Sequence, residues 1–499
     1  MKREFKPLSF STTIRNPARI VEFLEVLAKF DRQILTDEII MSVVFELVKR
    51  KIYVPNFAKN FANFEELSDD QVLEIIANSP QNHKEAGFEK GWPSRFDTWY
   101  KLIMEFGFCF YAMNETILIS QSGYLLLNSA NDDDKIAKIF LNCMSKYVSN
   151  NPFRNTLNSN IPLVLLLNVM NDLKNKIGNS KISLREIPLF ICWRDDDFQN
   201  LTNEILDLRS EFGFEVSNEI IYEKCLNLLN STNEKRFKIS QICFESVDEF
   251  VRKMRITGII SLRGNGRFID FNTFEIANIN YLLNLNLKPQ NFNSKFEYFE
   301  FISKIDQNFL IQNKISNNSQ NVLKQKTLCE FASKYTKKQI FSELKILQNK
   351  KSSSKDEIFK FISEPTRFEF LTAIALKQNL KNTEIFPNYK IDDEGLPTSH
   401  AVGNEADIYC VDLATKAIIE VSLMNGKAQI INEMLPITRH LKDRGDDFAI
   451  FVAPKIFEDC KRYAKFIKFN ENLEIINYDI DEFIMILSGI DNLKGLKNV

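Results

Sequence analysis

The chain has 499 residues, 44% of them hydrophobic and 26% charged, with 64 basic and 66 acidic side chains and a net charge of −2. That length suits about two to four domains of roughly 100–200 residues, and the composition excludes a disordered or fibrous protein. The near-zero charge excludes indiscriminate coating of nucleic acid, although a basic face on one part can coexist with an acidic cluster on another.

The eight cysteines, at 109, 143, 192, 225, 243, 329, 410 and 460, form no CxxC pair and no Cys/His array of zinc-finger spacing. The opening Met1-Lys2-Arg3-Glu4-Phe5-Lys6 leads into no apolar signal region, so reduced, buried thiols in the cytoplasm are expected. The longest apolar run, 161–167, stops at Asn168 and is too short to span a bilayer.

Residues 1 to about 285 read as a mostly helical half, divided into 1–150 and 151–285. Pro17 to Phe30 has Ile20, Phe23, Leu24 and Leu27 on one face, which predicts a helix. Trp92 to Met104 is amphipathic, with Ser94 as the expected N-cap. Strands at Gly107–Ala112 and Thr116–Ile119 follow, joined at Asn114-Glu115. Helix, strand, turn, strand is the order of a winged helix-turn-helix. The order recurs at Val247–Thr257, Gly258–Leu262, the turn Arg263-Gly264-Asn265-Gly266 and Arg267–Phe271, where Asn265-Gly266 favours a primed turn. Between them, Ile161–Leu173 reads as a helix and Ile182–Ile187 as the start of a third helix-turn element. Arg263 and Arg267 flank the turn where a wing touches phosphates. Arg252, Lys253 and Arg255 share the preceding helix, Arg95 and Lys101 lie in the first unit, and Arg15 and Arg19 lie near the start. All are candidate DNA contacts.

Residues 286–355 are Lys- and Asn-rich and read as a helical linker, with looser stretches at 313–320 and 350–354. Residues 356–499 read as an α/β domain. Ala406–Val411 and Ile418–Leu423 are short and rich in β-branched residues, and the connection Asp412-Leu413-Ala414-Thr415 suits an antiparallel hairpin. A hairpin that pairs 412 with 415 also pairs Asp407 with Glu420, their Cβ atoms roughly 4.5–5.5 Å apart. Opposed carboxylates destabilise a sheet unless a cation lies between them, and Mg²⁺ takes one or two carboxylates with water and phosphate oxygens. Gln429, Glu433, Pro436 or Ile437, and His440 then recur at helical spacing on one face, with Pro436 expected to kink or break the helix. The chain has three histidines, His83, His400 and His440, and two fall in this region. A His sharing a face with a Glu beside a carboxylate hairpin is a candidate base or water-positioning group. Strands at Phe448–Ala453 and Leu473–Tyr478 complete a mixed sheet flanked by helices.

Residues 397–440 resemble the catalytic region of the AlwI/PleI/MlyI group of type IIS restriction endonucleases and their nicking relatives. The resemblance is carried by His400, Gly403-Asn404, Asp407, Glu420-Val421, Gln429, Glu433, and Pro436 with Thr438-Arg439-His440. Residues 8–20 resemble that group's opening. The resemblance implies a C-terminal PD-(D/E)XK-type nuclease domain, with Asp407 and Glu420 as metal ligands, Glu369 on the helix before the sheet, and Glu433 and His440 on the helix after it. Ser422 stands where the general motif has lysine, leaving that role to His440, Lys427 or a second metal ion. The implied activity is Mg²⁺-dependent cleavage of double-stranded DNA at a fixed distance outside a short asymmetric site. The alternatives are a strand-specific nicking enzyme, acting as the large subunit of a heterodimer, and a DNA-binding regulator with an inactive nuclease domain. The implied partners are DNA, a second copy or a small nuclease subunit for the second strand, and a cognate methyltransferase, with no membrane.

Overall fold

Two units divide the chain, Met1–Phe61 with Leu67–Lys314 and Ala62–Glu66 with Ile315–Val499. The computed structural model describes residues 3–10, 17–61, 66–129, 132–311, 317–348, 353–401 and 405–497. Arg15, Gly403-Asn404 and most of the two expected loose stretches lie outside them. The architecture is mixed α/β and multidomain, as expected. Among the described residues no helix is long and apolar enough to cross a membrane.

In the first unit, α1 (Pro17–Ala28) buries Ile20, Phe23, Leu24 and Leu27, the face its spacing predicts. Beyond two intervening α-helices, Asp37–Lys49 and Asp69–Ala77, comes α2 (Trp92–Glu105), whose N-cap is Gly91, with Pro93 in the first turn. Ser94 is therefore not the cap; it is buried, accepts from Glu85 N–H and donates to the Glu89 carbonyl, tying down the preceding loop. The strands after it are only β1 (Cys109–Phe110) and β2 (Leu118–Ile119). They are shorter than expected because the backbone of 114–117 bonds elsewhere: Asn114 N–H to Leu35 O, Leu35 N–H to Glu115 O, and Ile117 N–H to Gln33 O.

Further along, α3 (Pro162–Ile177) precedes β3 (Ile182–Ser183) and α4 (Ile187–Cys192). Helix α5 (Ser246–Arg255) leads into β4 (Ile260–Arg263) and β5 (Phe268–Phe271). Asn265 and Gly266 both take positive φ, 59° and 82°, as the turn demands. Ile182–Ser183, expected to open a third separate helix-turn element, instead pairs with the free edge of β5 and gives the sheet order β3-β5-β4. The element that looked separate supplies the third strand of this one.

The expected linker 286–355 divides between the units. Its later part forms α6 (Asn317–Lys334) and α7 (Lys337–Ile346), which pack on α8 (Glu364–Asn379) in the second unit. The burial of Leu328, Phe331, Ile340 and Leu344 explains why these Lys-rich helices are held. Strands β6 (Glu384–Pro387), β9 (Ile408–Val411), β10 (Lys416–Val421), β11 (Phe448–Ala453) and β12 (Ile475–Asp479) form the sheet, in the order β12-β11-β10-β9-β6; between β6 and β9 the short strands β7 (Lys390–Ile391) and β8 (Pro397–Ser399) pair separately. β10, β11 and β12 run parallel, whereas β9 runs antiparallel to β10 and β6 to β9. On one face Ile418, Ala449, Phe451 and Ala453 form a core with α9 (Leu435–Arg444) and α10 (Glu458–Glu471). Every residue of β11 is buried, so it reads as an unbroken apolar run.

Helix α6 closes on the β7–β8 connection at Gly395. There φ is +81° and a Cβ would lie 2.1 Å from Thr327 Oγ1, so only glycine fits. Gly395→Ala should lower the stability of this unit by about 1–3 kcal/mol, measured as a shift in the urea unfolding midpoint; an unchanged midpoint would show that the close approach is dispensable.

Candidate active site

The β9–β10 hairpin sets the site. Asp412 N–H donates to Thr415 O at 3.0 Å, Lys416 pairs with Val411 and Ile419 with Ile408. Continuing that register places Asp407 opposite Glu420, as the sequence predicts. The two carboxylates meet backbone as well as each other: Asp407 N–H donates to Glu420 Oε2 at 3.2 Å, and Val421 N–H donates to Asp407 Oδ2 at 2.7 Å. Glu420 is buried and Asp407 half-buried.

Beyond β10 the chain does not form a continuous α-helix. A π-turn spans Ile430–Met434, with Leu435 N–H reaching back to Ile430 O, and α9 then starts with Pro436 in its first turn. Proline has no N–H to donate and its ring crowds the preceding turn, so the ladder is re-spaced just before it. The expected single face is divided accordingly. His440 points to the hairpin, its Nδ1 2.9 Å from Glu420 Oε1. Its other nitrogen, Nε2, is buried with no partner among the described residues. Glu433 is half-buried, and its carboxyl interacts with the Ser422 hydroxyl, Asp407 and His400. Gln429 turns away as a structural clamp: its Nε2 donates to Met424 O and Lys455 O, both at 2.8 Å, and its Oε1 accepts from Phe457 N–H.

Glu369 is buried on α8 and accepts from Ala401 N–H, on the segment leading back toward Asp407. Ser422 Oγ accepts from Met424 N–H at 3.1 Å. Lys427 is exposed and paired with Glu66 at 2.9 Å, so it is committed at the surface rather than at the carboxylates. Lys324 on α6, which sequence reasoning passed over as part of a linker, is buried and within electrostatic reach of Glu405 and Glu369.

Burial weakens the acids of the cluster, holding their protons to higher pH. It pushes Asp407 well above the usual carboxylate range, with the charge of Glu420 adding to the effect. It pushes Glu420 to about 8 and Glu433 to about 7, each reinforced by a neighbouring acid. The same burial lowers His440. Three acids that resist ionising together mark a place where a cation is favoured. Among the described residues no group of three or more His, Cys, Asp or Glu side chains is placed to hold a metal ion. A pair of carboxylates nevertheless matches Mg²⁺, which usually keeps water and phosphate oxygens as its other ligands.

A family model described as AlwI restriction endonuclease matches residues 104–329 and 302–486. The chain belongs to the AlwI restriction endonuclease family. No curated protein sequence matches it. Among solved structures, the chain is similar to the small subunit R.BspD6I2 of the heterodimeric restriction endonuclease R.BspD6I, at 24% identity over 30% of this chain and 77% of that one, TM-score 0.26. It is similar to restriction endonuclease FokI, at 11% identity over 99% and 98%, TM-score 0.27. A third likeness is the BpuJ1 endonuclease binding domain, at 14% identity over 58% and 90%, TM-score 0.33.

In this AlwI-family protein the expected DNA contacts are not equivalent. Lys253 is buried with its Nζ 3.3 Å from Glu249. Arg263 is buried in β4, donating to Phe271 O at 2.9 Å and lying 3.8 Å from Asp270. Both expectations are corrected: strand and helix geometry turns these side chains inward, where they are ion-paired. Arg267 is exposed on the hairpin, its guanidinium over Phe268. Arg252 and Arg255 are half-buried on α5. Arg95 is half-buried, stacked over Tyr53 and Trp99 with Nη1 2.8 Å from His83 Nε2. Lys101 lies 3.6 Å from Glu85, and Arg19 donates to Ile52 O at 2.6 Å. Of the eight cysteines, seven are buried as expected, whereas Cys329 is exposed.

The raised acids make a signed prediction. Glu420 and Glu433 sit at about 8 and about 7 against an ordinary 4.5. Above that ordinary value the folded protein holds protons that the unfolded chain has released. Their contribution to stability is therefore full at low pH and is lost as pH rises through the folded values. In EDTA the thermal midpoint should fall between about pH 5 and pH 8.5, and Glu420→Gln should flatten the decline. A midpoint that climbs across this window would contradict the assignment.

Proposed function

We propose that this restriction endonuclease is a Mg²⁺-dependent type IIS enzyme that cleaves double-stranded DNA at a fixed distance outside a short asymmetric site. The observation that carries the reading is the half-buried Asp407 opposed to the buried Glu420, with His440 hydrogen-bonded to Glu420. Asp407 and Glu420 would hold Mg²⁺, with Glu369 as a further ligand or a support behind them. The chemistry supplied by a bound Mg²⁺ is charge stabilisation at the phosphate and a more acidic water.

The protein groups do the positioning. With Glu420 ionised, His440 donates from Nδ1 to Glu420 Oε1, leaving a lone pair on Nε2. That nitrogen is a base or an acceptor that orients the attacking water. Glu433, steered by the Ser422 hydroxyl, is the other group able to take the water's proton, and its raised value suits that task near neutral pH. Ser422 itself is uncharged, so it cannot replace the electrostatic part of the motif lysine.

For recognition, α5 with the β3-β5-β4 sheet is read as a winged helix, and α2 with β1–β2 as a smaller relative. Arg267 on the wing and Arg252 and Arg255 on the helix are the proposed phosphate or base contacts, with Arg19, Arg95 and Lys101 at the other. Cutting a second strand needs a second nuclease site, from another copy or a small subunit. The host would carry a cognate methyltransferase in the same cytoplasm.

Supercoiled plasmid with Mg²⁺ should yield discrete ends at a constant offset from one short asymmetric sequence. Linear product means double-strand cleavage, and relaxed circles alone mean nicking. Specific binding without cleavage would instead support an inactive regulator. Glu420→Ala should cut at least about a thousandfold more slowly while binding the same sequence in Ca²⁺; loss of binding would refute separate recognition and cleavage units. Arg267→Ala should weaken binding to all sequences alike and reduce the slope of log affinity against log salt by about 0.9; an unchanged slope would remove Arg267 from the phosphate contacts.

A further inference from the structure

The site lacks a lysine two residues after Glu420, and the nearby cations offer limited replacements. Lys427 is paired with Glu66 at the surface. Arg444 is held by Asp446 and stacked on Tyr409, 4.0 Å from the ring centre. Lys324 is different. It is buried on α6, its Nζ donates to the neutral carbonyl of Pro387 at 3.0 Å, and it faces the Tyr389 ring at 5.5 Å. Neither contact neutralises its charge.

The position is tied to the site through the backbone. Pro387 pairs with Ile408 in the sheet, and Asn388 N–H donates to Asp407 O at 2.8 Å. Lys324 therefore meets the chain one pairing position from Asp407. Burial lowers its ammonium to about 8, opposed by the charges of Glu405 and Glu369. The helix is fixed in place by Gln325, which donates to Ile385 O at 2.7 Å, and by Thr327, which donates to Glu394 O at 3.3 Å. A buried ammonium is costly, and one hydrogen bond to a neutral carbonyl offsets only part of that cost.

We propose that Lys324 is an electrostatic positioning residue of the nuclease site, standing in for the lysine absent at Ser422 by offsetting the carboxylates Glu369 and Glu405 so that a DNA phosphate can approach. This role rests on the nuclease reading of the Asp407–Glu420 site. Charge sign separates the role from a structural one. Removing a cation beside the carboxylates strengthens their attraction for Mg²⁺ while disfavouring the anionic phosphate and its transition state.

Parent, Lys324→Met and Lys324→Arg are compared for single-turnover plasmid cleavage across Mg²⁺ concentrations, for specific binding in Ca²⁺ and for thermal midpoint in EDTA. The expected result for Lys324→Met is a rate at saturating Mg²⁺ about ten- to a hundredfold lower. Its half-saturating Mg²⁺ should be unchanged or lower and its midpoint unchanged or higher, with Lys324→Arg recovering part of the rate. A rate within twofold of the parent overturns the proposal. So does a fall in rate accompanied by a raised Mg²⁺ requirement or a lost midpoint, which would make Lys324 a packing residue. A parent that binds DNA but does not cut it under Mg²⁺ removes the nuclease reading itself, a result distinct from either of these.

Discussion

The register of one short hairpin governs the second unit. A slip of one residue in the β9–β10 pairing would send Asp407 and Glu420 to opposite faces of the sheet. The register is held at the closed end by Asp412 N–H bonded to Thr415 O, and along its length by Ile408, Cys410, Ala417, Ile418 and Ile419, all buried. A slip would carry the buried Ile408 and Cys410 of β9 to its half-buried face. The repulsive pair at the open end is thus imposed by the strand core, and the adjacent backbone N–H groups of Asp407 and Val421 partly satisfy it.

The second constraint is the re-spacing ahead of Pro436. An uninterrupted helix would place Glu433 and His440 on one stripe seven residues apart. The π-turn changes their relative direction, so that His440 reaches Glu420 while Glu433 reaches the Ser422 side. Two groups with different proton affinities then approach the same carboxylate pair from different positions. Such a turn costs helical regularity, and its place beside the acids is where that irregularity separates the His440 imidazole from the Glu433 carboxyl.

The sequence made some of this legible and hid the rest for identifiable reasons. Alternation and a tight connection are local signals, so the opposition of Asp407 and Glu420 could be read directly, as could the buried strand Phe448–Ala453. Side-chain direction on α5 and β4 depends on tertiary packing. Lys253 and Arg263 therefore looked like surface cations although each is buried against an acid. The strand Ile182–Ser183 is two residues long, and its partner lies more than eighty residues away, beyond any local pattern. Helices α6 and α7 were read as linker because lysine and asparagine dominate their composition. Only their contacts with α8 reveal them as part of the second unit, and Lys324 was overlooked for the same reason.

These features share an electrostatic logic. The unit gathers Asp407, Glu420 and Glu433 where burial disfavours their ionised forms, and a distant helix brings a buried ammonium near Glu369 and Glu405. Neither arrangement is what stability alone would select, because isolated buried charges and crowded acids both weaken a fold. What tolerates them is the apolar core on the sheet, formed by Ile418, Phe451, Ile437 and Leu441 and extending to α10. A core of that kind is insensitive to pH and cation concentration, whereas the acids above it respond to both. The sheet therefore remains the fixed element, while the protonation of the acids at the open end of its hairpin changes with pH.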